Sequence, residues 1–313
     1  MKRAAVVAIV LAAAAVVALR YAWPEPAGAG TTPGATPATP VANLPASVGA
    51  KPRHERAAAP NAEPLPSGDF ANDRIELDRR ARAGDSKAAL RLAGILTKCP
   101  GYRPVSDAEL EDRVVDGLAR QRQAPTVDGK PLPPEVLIEY AQRNQRERNA
   151  LCAGTKETDF DPEGDRETAL RLLQRAADAG DLDAMLEYGT LDFIDLRMNS
   201  QAWLVDHAEA IRERKQRVSD YLGRVLASGD ARALRAYGNE YLYGRLFPRD
   251  PSKAYAYYYA FSRSAAGTES GPWMSRMPLQ FPASELSPEQ LTRAQSEGLA
   301  LLAQCCGVAE PAR

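Results

Sequence analysis

The side chains that most often carry acid–base or metal chemistry are few in this chain, which has two histidines among 313 residues. His207 stands among the acidic residues Asp206, Glu209 and Glu213. A histidine beside a carboxylate can act as a general base in hydrolysis. A surface histidine on a charged helix has the same pattern, and we favour that interpretation. His54 has no second histidine at the spacing of a zinc-protease helix, so we interpret it as a solvated linker residue.

Motifs for phosphate, cofactor or nucleophile chemistry are incomplete or missing. Gly129-Lys130 lacks the earlier glycine that a phosphate-binding loop needs, and Gly28-Ala29-Gly30 opens no helix because Pro33 follows. Neither a Gly-x-Ser-x-Gly elbow nor a Ser-x-x-Lys motif occurs. We therefore predict that the protein is not an enzyme and that it binds no cofactor and no metal ion. The alternative is an exported hydrolase of cell-wall or polysaccharide material, because the acids of a glycosidase need not be close in the sequence.

Four cysteines are the remaining candidates for chemistry. Cys99 and Cys152 stand at predicted helix ends and are each followed within two residues by glycine. In an oxidising compartment such thiols pair, so we predict a Cys99–Cys152 disulfide. Cys305 and Cys306 are adjacent, and three states stay open for them: a strained vicinal bond, pairing with another chain, or free thiols.

The amino terminus has the composition of an export signal, because Lys2 and Arg3 precede an apolar run from Ala4 to Leu19. Cations before a short apolar stretch keep that end of the segment in the cytoplasm. We predict an uncleaved anchor over residues 1–23 that contacts the inner membrane through residues 4–23. A cleaved signal peptide is the alternative.

Residues 24–66 are mainly Pro, Ala, Gly and Thr. Such a segment cannot bury enough apolar surface to offset the entropy lost on ordering, so it predicts a disordered linker. Anchor and linker together predict a domain that stands off the membrane in the periplasm.

The rest of the chain, residues 67–313, contains an internal repeat. Gly84, Gly180 and Gly229 are each followed by Asp, with Ala at +4, a large residue at +8 and a small one at +9. These spacings lie on one stripe of a helix. Glycine ends the preceding helix in the left-handed conformation, and Asp caps the next helix. The pattern predicts helix–turn–helix units that stack because one hairpin cannot bury its apolar face alone.

These units resemble the Sel-one-like repeat family, which is related to the tetratricopeptide repeats. The third unit carries the resemblance best, and its matching positions are Gly229, Ala233, Tyr237, Gly238, Tyr241, Gly244, Asp250, Ala254, Tyr257, Tyr258, Ala265, Ala266 and Gly267. The resemblance implies an all-α fold, a right-handed α-solenoid with a concave binding face and adaptor-like behaviour. It does not by itself assign a function.

The repeat spacing is uneven, which predicts an insertion. Gly84 and Gly180 are 96 residues apart, and the extra length falls at about 100–160, where two helical patterns flank a Pro/Gly-rich turn from Pro125 to Pro134. The predicted disulfide would staple this helical hairpin to the repeats. A strong start signal at Ser287-Pro288 predicts a capping helix over about 287–302.

Tyrosine is concentrated in the third unit, where seven of twelve lie between residues 237 and 259. The family pattern places Tyr237, Tyr241 and Tyr258 in the repeat core. The remainder cannot all face inward on the same two helices. We therefore predict that the aromatic side chains exposed for partner binding are Tyr243, Tyr255 and Tyr259.

We predict a non-enzymatic protein-interaction or scaffolding module of the cell envelope, with a protein partner. The formal net charge of −1 excludes a global field that would attract nucleic acid. A carbohydrate partner is compatible with the tyrosines. A secreted adaptor or effector is a further alternative, and it requires cleavage of the signal.

Overall fold

The computed structural model of the chain describes residues 69–120, 126–127, 130–161, 164–198 and 205–306, so the predicted anchor and linker lie outside the described residues. The described part is mainly helical, as predicted. None of its helices is both long and apolar enough to cross a membrane.

Thirteen α-helices lie in the described residues. They are α1 (Phe70–Arg82), α2 (Ser86–Lys98), α3 (Asp107–Arg120), α4 (Pro134–Cys152), α5 (Gly164–Asp178), α6 (Leu182–Met198), α7 (Ala208–Ala227), α8 (Arg232–Tyr243), α9 (Pro251–Arg263), α10 (Ala265–Glu269), α11 (Pro272–Arg276), α12 (Gln280–Ala283) and α13 (Pro288–Cys305). Single 3₁₀ turns stand at Glu157–Asp159 and Met277–Leu279.

A short β-ladder lies between α3 and α4 in a fold that is otherwise helical. Strand β1 (Thr126–Val127) pairs antiparallel with strand β2 (Lys130–Pro131) inside the segment predicted only as a turn. The sequence between the strands, Asp128-Gly129, is a favoured two-residue hairpin connection. Two residues per strand are too few for a periodicity of two to show in the sequence.

The three Gly-Asp turns share one hydrogen-bond pattern. Gly84, Gly180 and Gly229 have φ values of 94°, 100° and 82°, which are left-handed and favour glycine. In each turn the glycine N–H donates to the carbonyl three residues back, and the following Asp N–H donates to the carbonyl five residues back. This is a Schellman motif, and it satisfies carbonyls at the end of the preceding helix.

The aspartate of each turn starts the next helix. Asp85 accepts hydrogen bonds from the backbone N–H groups of Lys87 and Ala88. Asp181 accepts one from Ala184, and the Asp230 carboxylate accepts one from the N–H of Arg232. The alanines at +4, namely Ala88, Ala184 and Ala233, are completely buried, as the periodicity predicts.

The helices pack in a consecutive stack. The packed pairs are α1 with α2, α2 with α5, α5 with α6, α6 with α7, α7 with α8, α8 with α9, and α9 with α13. The pairing of α2 with α5 passes over α3 and α4, which pack on each other, and α4 also contacts α2. We call residues 107–152, which comprise α3, β1, β2 and α4, the arm.

The three turns lie side by side along one edge of the stack. Ser86 Oγ donates to Asp181 Oδ2 at 2.7 Å, which joins the first turn to the second. Arg232 Nη2 lies 2.7 Å from Asp183 Oδ1, which joins the third turn to the second. The carbonyl of Cys305 lies 3.5 Å from where a Cβ on Gly229 would stand, so the end of α13 follows the third turn.

Helix α13 closes the stack by packing along α9. It begins at Pro288, where Ser287 and Gln290 form the capping box, and it runs three residues beyond the predicted end. The contact is close at Gly298, because a Cβ there would lie 2.6 Å from the carbonyl oxygen of Ala256. Glycine is therefore required for this approach of the two helices.

Candidate interaction surface

Both cysteine pairs are bonded. Cys99 and Cys152 are 1% exposed, and their Cα atoms lie 5.5 Å apart across the bond that joins the end of α2 to the end of α4. Cys305 and Cys306 form a vicinal bond at the end of α13, which is one of the three states that the sequence left open. Cys305 Sγ also contacts the carbonyl oxygen of Leu226 on α7 at 3.7 Å.

The prediction that Tyr255 is exposed is wrong. Its side chain is 8% exposed, its ring stacks on Tyr259 with centroids 6.1 Å apart, and Gln295 Nε2 on α13 donates to its hydroxyl at 3.2 Å. The physical reason is the packing of α13 on α9. That contact covers a face of α9 that the sequence of α9 alone leaves open.

The side chains of Tyr259 and Tyr243 are exposed to different extents. Tyr259 is half-buried against α13, where a Cβ on Gly298 would lie 3.1 Å from its ring, and the Arg263 guanidinium lies 5.2 Å from its ring centroid. Tyr243 at the end of α8 is 37% exposed, with the guanidinium of Arg245 5.4 Å from its ring centroid. Of the three predicted tyrosines, Tyr243 is the most accessible.

Four other aromatic residues form what we call the aromatic cluster: Tyr237, Tyr241, Phe247 and Tyr257. Tyr237 stacks on Tyr257 with centroids 5.2 Å apart, and Tyr241 stacks on Phe247 at 4.9 Å. The two pairs also stack on each other through Tyr241–Tyr257 and Tyr237–Phe247 contacts. All four rings are half-buried, so the cluster fills the space beside α8 and α9 while keeping an accessible edge.

The hydroxyl groups of the cluster are partly buried, and a charged group stands at its edge. Burial, together with the nearby Tyr241 and Asp220, raises the pKa of Tyr237 to about 12. Burial also raises the pKa of Tyr241 and Tyr257. The Lys253 ammonium lies 5.2 Å from the centroid of the Tyr241 ring, a cation–π contact at the edge of the cluster.

A groove of about 610 Å³ lies beside the cluster, lined by the end of α5 and one face of α7. Its lining residues are Asp178, Arg212, Glu213, Gln216, Arg217, Asp220, Tyr221 and Arg224. The seven from α7 follow one another at steps of one or three residues, which places them on one helical face.

The floor of the groove is a polar network. The Tyr221 hydroxyl donates to Asp178 Oδ1, and the Tyr221 ring contacts Tyr188 edge-to-face with centroids 5.5 Å apart. Burial and the hydrogen bond to Asp178 raise the pKa of Tyr221. Arg217 Nη1 lies 3.5 Å from the Tyr188 hydroxyl, a contact that raises the pKa of Arg217.

The groove and the aromatic cluster are continuous. Asp220 belongs to the groove, accepts a hydrogen bond from Gln216 at 2.9 Å, and lies close enough to Tyr237 to affect its pKa. A Cβ on Gly223, one turn further along that helix, would lie 3.9 Å from the Tyr237 hydroxyl. Together they form a strip of charged and aromatic side chains along α7 and α8.

This strip has the chemistry of a recognition surface. Three arginines and three carboxylates line the groove, so it can pair with both charges of a polypeptide, and arginine and tyrosine are the side chains that dominate binding energies. Asp178, Glu213 and Asp220 are exposed, whereas a general acid for glycoside hydrolysis is held in an apolar pocket. In the described part of the chain, no group of three His, Cys, Asp or Glu side chains is arranged to hold a metal ion.

The sequence did not single out the groove. His207, the candidate base, is exposed at the start of α7 and does not line the groove. Charges at steps of three and four along a helix are common on solvated faces, so the α7 residues carried no distinctive signal. The shared +8 position of Tyr188 and Tyr237 was the one available hint, because both side chains contact residues of α7 in the structure.

No family model matches the chain, and no curated protein matches it significantly. Among solved structures, the chain is similar to c5321, a protective antigen present in uropathogenic Escherichia coli strains that is described as displaying an SLR fold. The two sequences are 16% identical with a TM-score of 0.27, and the match covers 77% of this chain and 50% of the antigen, so the chain spans half of that protein. At this identity and TM-score, the likeness supports no inference about fold or function.

Proposed function

We propose that the protein is a scaffold of the cell envelope that is anchored in the inner membrane and binds a protein partner in the periplasm. The observation that carries the proposal is the alignment of the three Gly-Asp turns through the Ser86–Asp181 and Asp183–Arg232 contacts. Helix pairs joined in this way present their side chains as one continuous surface. Extended surfaces of that kind are what stacked repeats use to bind partners.

In this proposal the stack is a right-handed solenoid of Sel-one-like units. Counted from one Gly-Asp turn to the next, as in the third unit, the helix pairs are α2–α5, α6–α7 and α8–α9, with α1 at one end and α13 as the cap. The arm is an insertion between the two helices of the first unit. Support comes from the packing of α2 directly on α5 and from the shared turn geometry.

The binding site in this proposal is the groove together with the aromatic cluster. Arg217 and Tyr221 form a pre-ordered floor, and the half-buried rings offer contact area that loses little entropy on binding. The anchor at 1–23 and the linker at 24–66 would hold this surface at a distance from the membrane. Their composition is the support for this part of the proposal.

Site-specific photocrosslinking in cells tests the proposed site. A photoreactive amino acid at Gln216, in the groove, should give discrete adducts with one or few envelope proteins. The same amino acid at Thr292, exposed on α13, is the matched control and should not give those adducts. Identical adducts at both positions, or no adduct at Gln216 in the membrane fraction, would contradict the proposal.

The two alternatives predict different results in the same experiment. A secreted adaptor would appear in the medium, with adducts formed outside the cell. A carbohydrate or cell-wall ligand would give adducts that lose their extra mass on glycan digestion and contain no second protein. The exposed carboxylates of the groove do not favour a hydrolase.

A further inference from the structure

The arm has a helix face that nothing in the described structure covers. Helix α3 has no buried residue, although one of its faces, with Leu110, Val114 and Leu118, is half-buried. Those three residues are spaced by four, so they share one face of α3, and α3 packs on α4. The opposite side of α3 is exposed along its whole length.

The arm is held to the stack near the end of α4. Besides the disulfide, Arg148 Nε donates to the Lys98 carbonyl at 3.1 Å, the Tyr102 hydroxyl hydrogen-bonds Asn149 at 2.8 Å, and Leu151 approaches Gly94. Helix α3 itself is joined to α4 by the Asp107–Arg146 ion pair. A helix pair attached mainly through one end of one helix contributes little to the core, so its exposed face is available for another purpose.

The exposed face of α3 carries small apolar residues together with an acidic one. Ala108, Asp112, Val115 and Ala119 follow each other at steps of four, three and four, and Val115 is 47% exposed. This stripe is about 17 Å long at 1.5 Å per residue. The two alanines allow the backbone of a second helix to approach closely, and Val115 is the apolar contact between them.

Helix α3 as a whole carries more acidic than basic residues. Helix α3 has five acidic and two basic residues, a net charge of −3 in a chain whose total is −1. Its two arginines are already engaged, because Arg113 pairs with Glu109 and Arg120 with Asp116. Asp112 within the stripe and Glu111 beside it have no ion pair among the described residues.

We propose that the exposed face of α3 docks a basic amphipathic helix of a second protein. The partner's apolar stripe would cover Ala108, Val115 and Ala119, and its lysines or arginines would lie opposite Glu111 and Asp112. Charge complementarity selects a basic partner over an acidic or neutral one. The straight stripe at helical spacing selects a helix, because it matches the ridge of an opposing helix. This surface is separate from the groove and does not depend on the function proposed for it.

Fluorescence anisotropy with the full chain in a neutral detergent tests the proposal. The probe is a labelled 18-residue peptide of Leu and Lys at amphipathic helical spacing, and a peptide of the same composition in scrambled order is its control. We expect the amphipathic peptide to bind about tenfold more tightly than the scrambled one. The double variant Glu111→Lys/Asp112→Lys and the single variant Val115→Asp should each weaken binding by about tenfold.

The double variant Glu135→Lys/Glu139→Lys is the matched control, because it makes the same charge change at exposed positions of α4 in the same arm. It should leave binding within about twofold of the wild type. If both double variants weakened peptide binding equally, the effect would be one of general electrostatics, and the proposal would be overturned. Equal binding of the two peptides, or no binding at low salt, would overturn it as well. Circular dichroism and intact-mass measurement check that each variant keeps its helices and its disulfides.

Discussion

At the scale of single residues, the tyrosines show how one side-chain type takes different roles within one unit. Tyr258 is 1% exposed and its hydroxyl donates to Asn239 at 2.7 Å, whereas Tyr243 on the preceding helix is accessible. Tyr237 and Tyr241, predicted as core, lie in the half-buried aromatic cluster. The difference follows from what packs opposite each ring, which the spacing within one helix does not specify.

Substitution of Tyr255 separates packing from binding. Because the side chain is buried against α13, Tyr255→Ala should lower the free energy of unfolding by about 3 kcal/mol. Tyr243→Ala, at an exposed ring, should lower it by only about 0.5 kcal/mol. Urea denaturation followed by circular dichroism measures both. Equal stability of the two variants would return Tyr255 to the set of binding candidates.

Substitution of two helical glycines by alanine should change the stability of the fold in opposite directions. A Cβ at Gly238 would lie 2.6 Å from the ring of Tyr258, which is buried and hydrogen-bonded and cannot move away, so Gly238→Ala should destabilise the fold by about 2 kcal/mol. At Gly117 on α3 nothing lies within 4 Å, and Gly117→Ala should stabilise by up to about 1 kcal/mol through helix propensity. Thermal unfolding of the two variants is the measurement, and a stabilised Gly238→Ala variant would contradict the packing described.

Because of the aromatic cluster, the free energy of unfolding should fall as the pH becomes alkaline. Tyr237 has a pKa of about 12 in the folded chain, above the value of about 10 for an unfolded tyrosine. The unfolded chain therefore loses this proton first, so the stabilisation is complete below about pH 10 and is lost as the pH rises toward 12. Tyr237→Phe should flatten this decline in urea unfolding between pH 9 and 11, as expected from those two values. A variant that follows the wild-type curve would count against the burial of this hydroxyl.

At the scale of elements, the turns and the arm were predictable to different degrees. Each Gly-Asp turn is a local motif, so its two residues predict its geometry without knowledge of the rest of the fold. The helices of the arm were predicted from their periodicity, but the ladder between β1 and β2 was not. The pairing of α2 with α5 depends on apolar faces 65 or more residues apart meeting in space, and only the tertiary structure shows it.

The bond between Cys99 and Cys152 should stabilise the arm against the stack. It joins residues 53 apart, for which loop entropy predicts a contribution of roughly 4 kcal/mol. Cys99→Ser/Cys152→Ser should lose about that much in chemical denaturation. The bond between Cys305 and Cys306 closes no loop of chain. The variant Cys305→Ser/Cys306→Ser is therefore the control, and we expect it to lose much less free energy of unfolding. Non-reducing peptide mapping is the direct measurement, and alkylatable thiols at both Cys99 and Cys152 would reject the bond.

At the scale of the whole molecule, the stack presents two surfaces of different chemistry. The groove with the aromatic cluster carries arginines, carboxylates and tyrosines, and the arm carries an exposed helix face with Val115, Glu111 and Asp112. Two such surfaces on one chain would let it hold two partners together, which is what a scaffold does. Anchoring would raise the effective concentration of both at the membrane.

Membrane attachment is the property that separates a scaffold from a secreted adaptor. We expect the protein to stay with the membrane fraction after extraction with alkaline carbonate, because an uncleaved segment with the apolar run from Ala4 to Leu19 remains inserted. Amino-terminal sequencing should then return residues that precede this run. A mature chain beginning just after Ala29 would instead support the secreted alternative.

Features that depend on neighbours along the chain could be predicted from the residue types. Glycine at a left-handed position, aspartate as a helix cap and the Ser287-Pro288 start signal act within a few residues, so their types predicted where helices begin and end. The covered side of each helix could not be predicted in this way. The packing of α13 buried Tyr255, and the packing of α2 on α5 left α3 with an open face, because burial is set by residues distant in sequence that meet once the chain has folded.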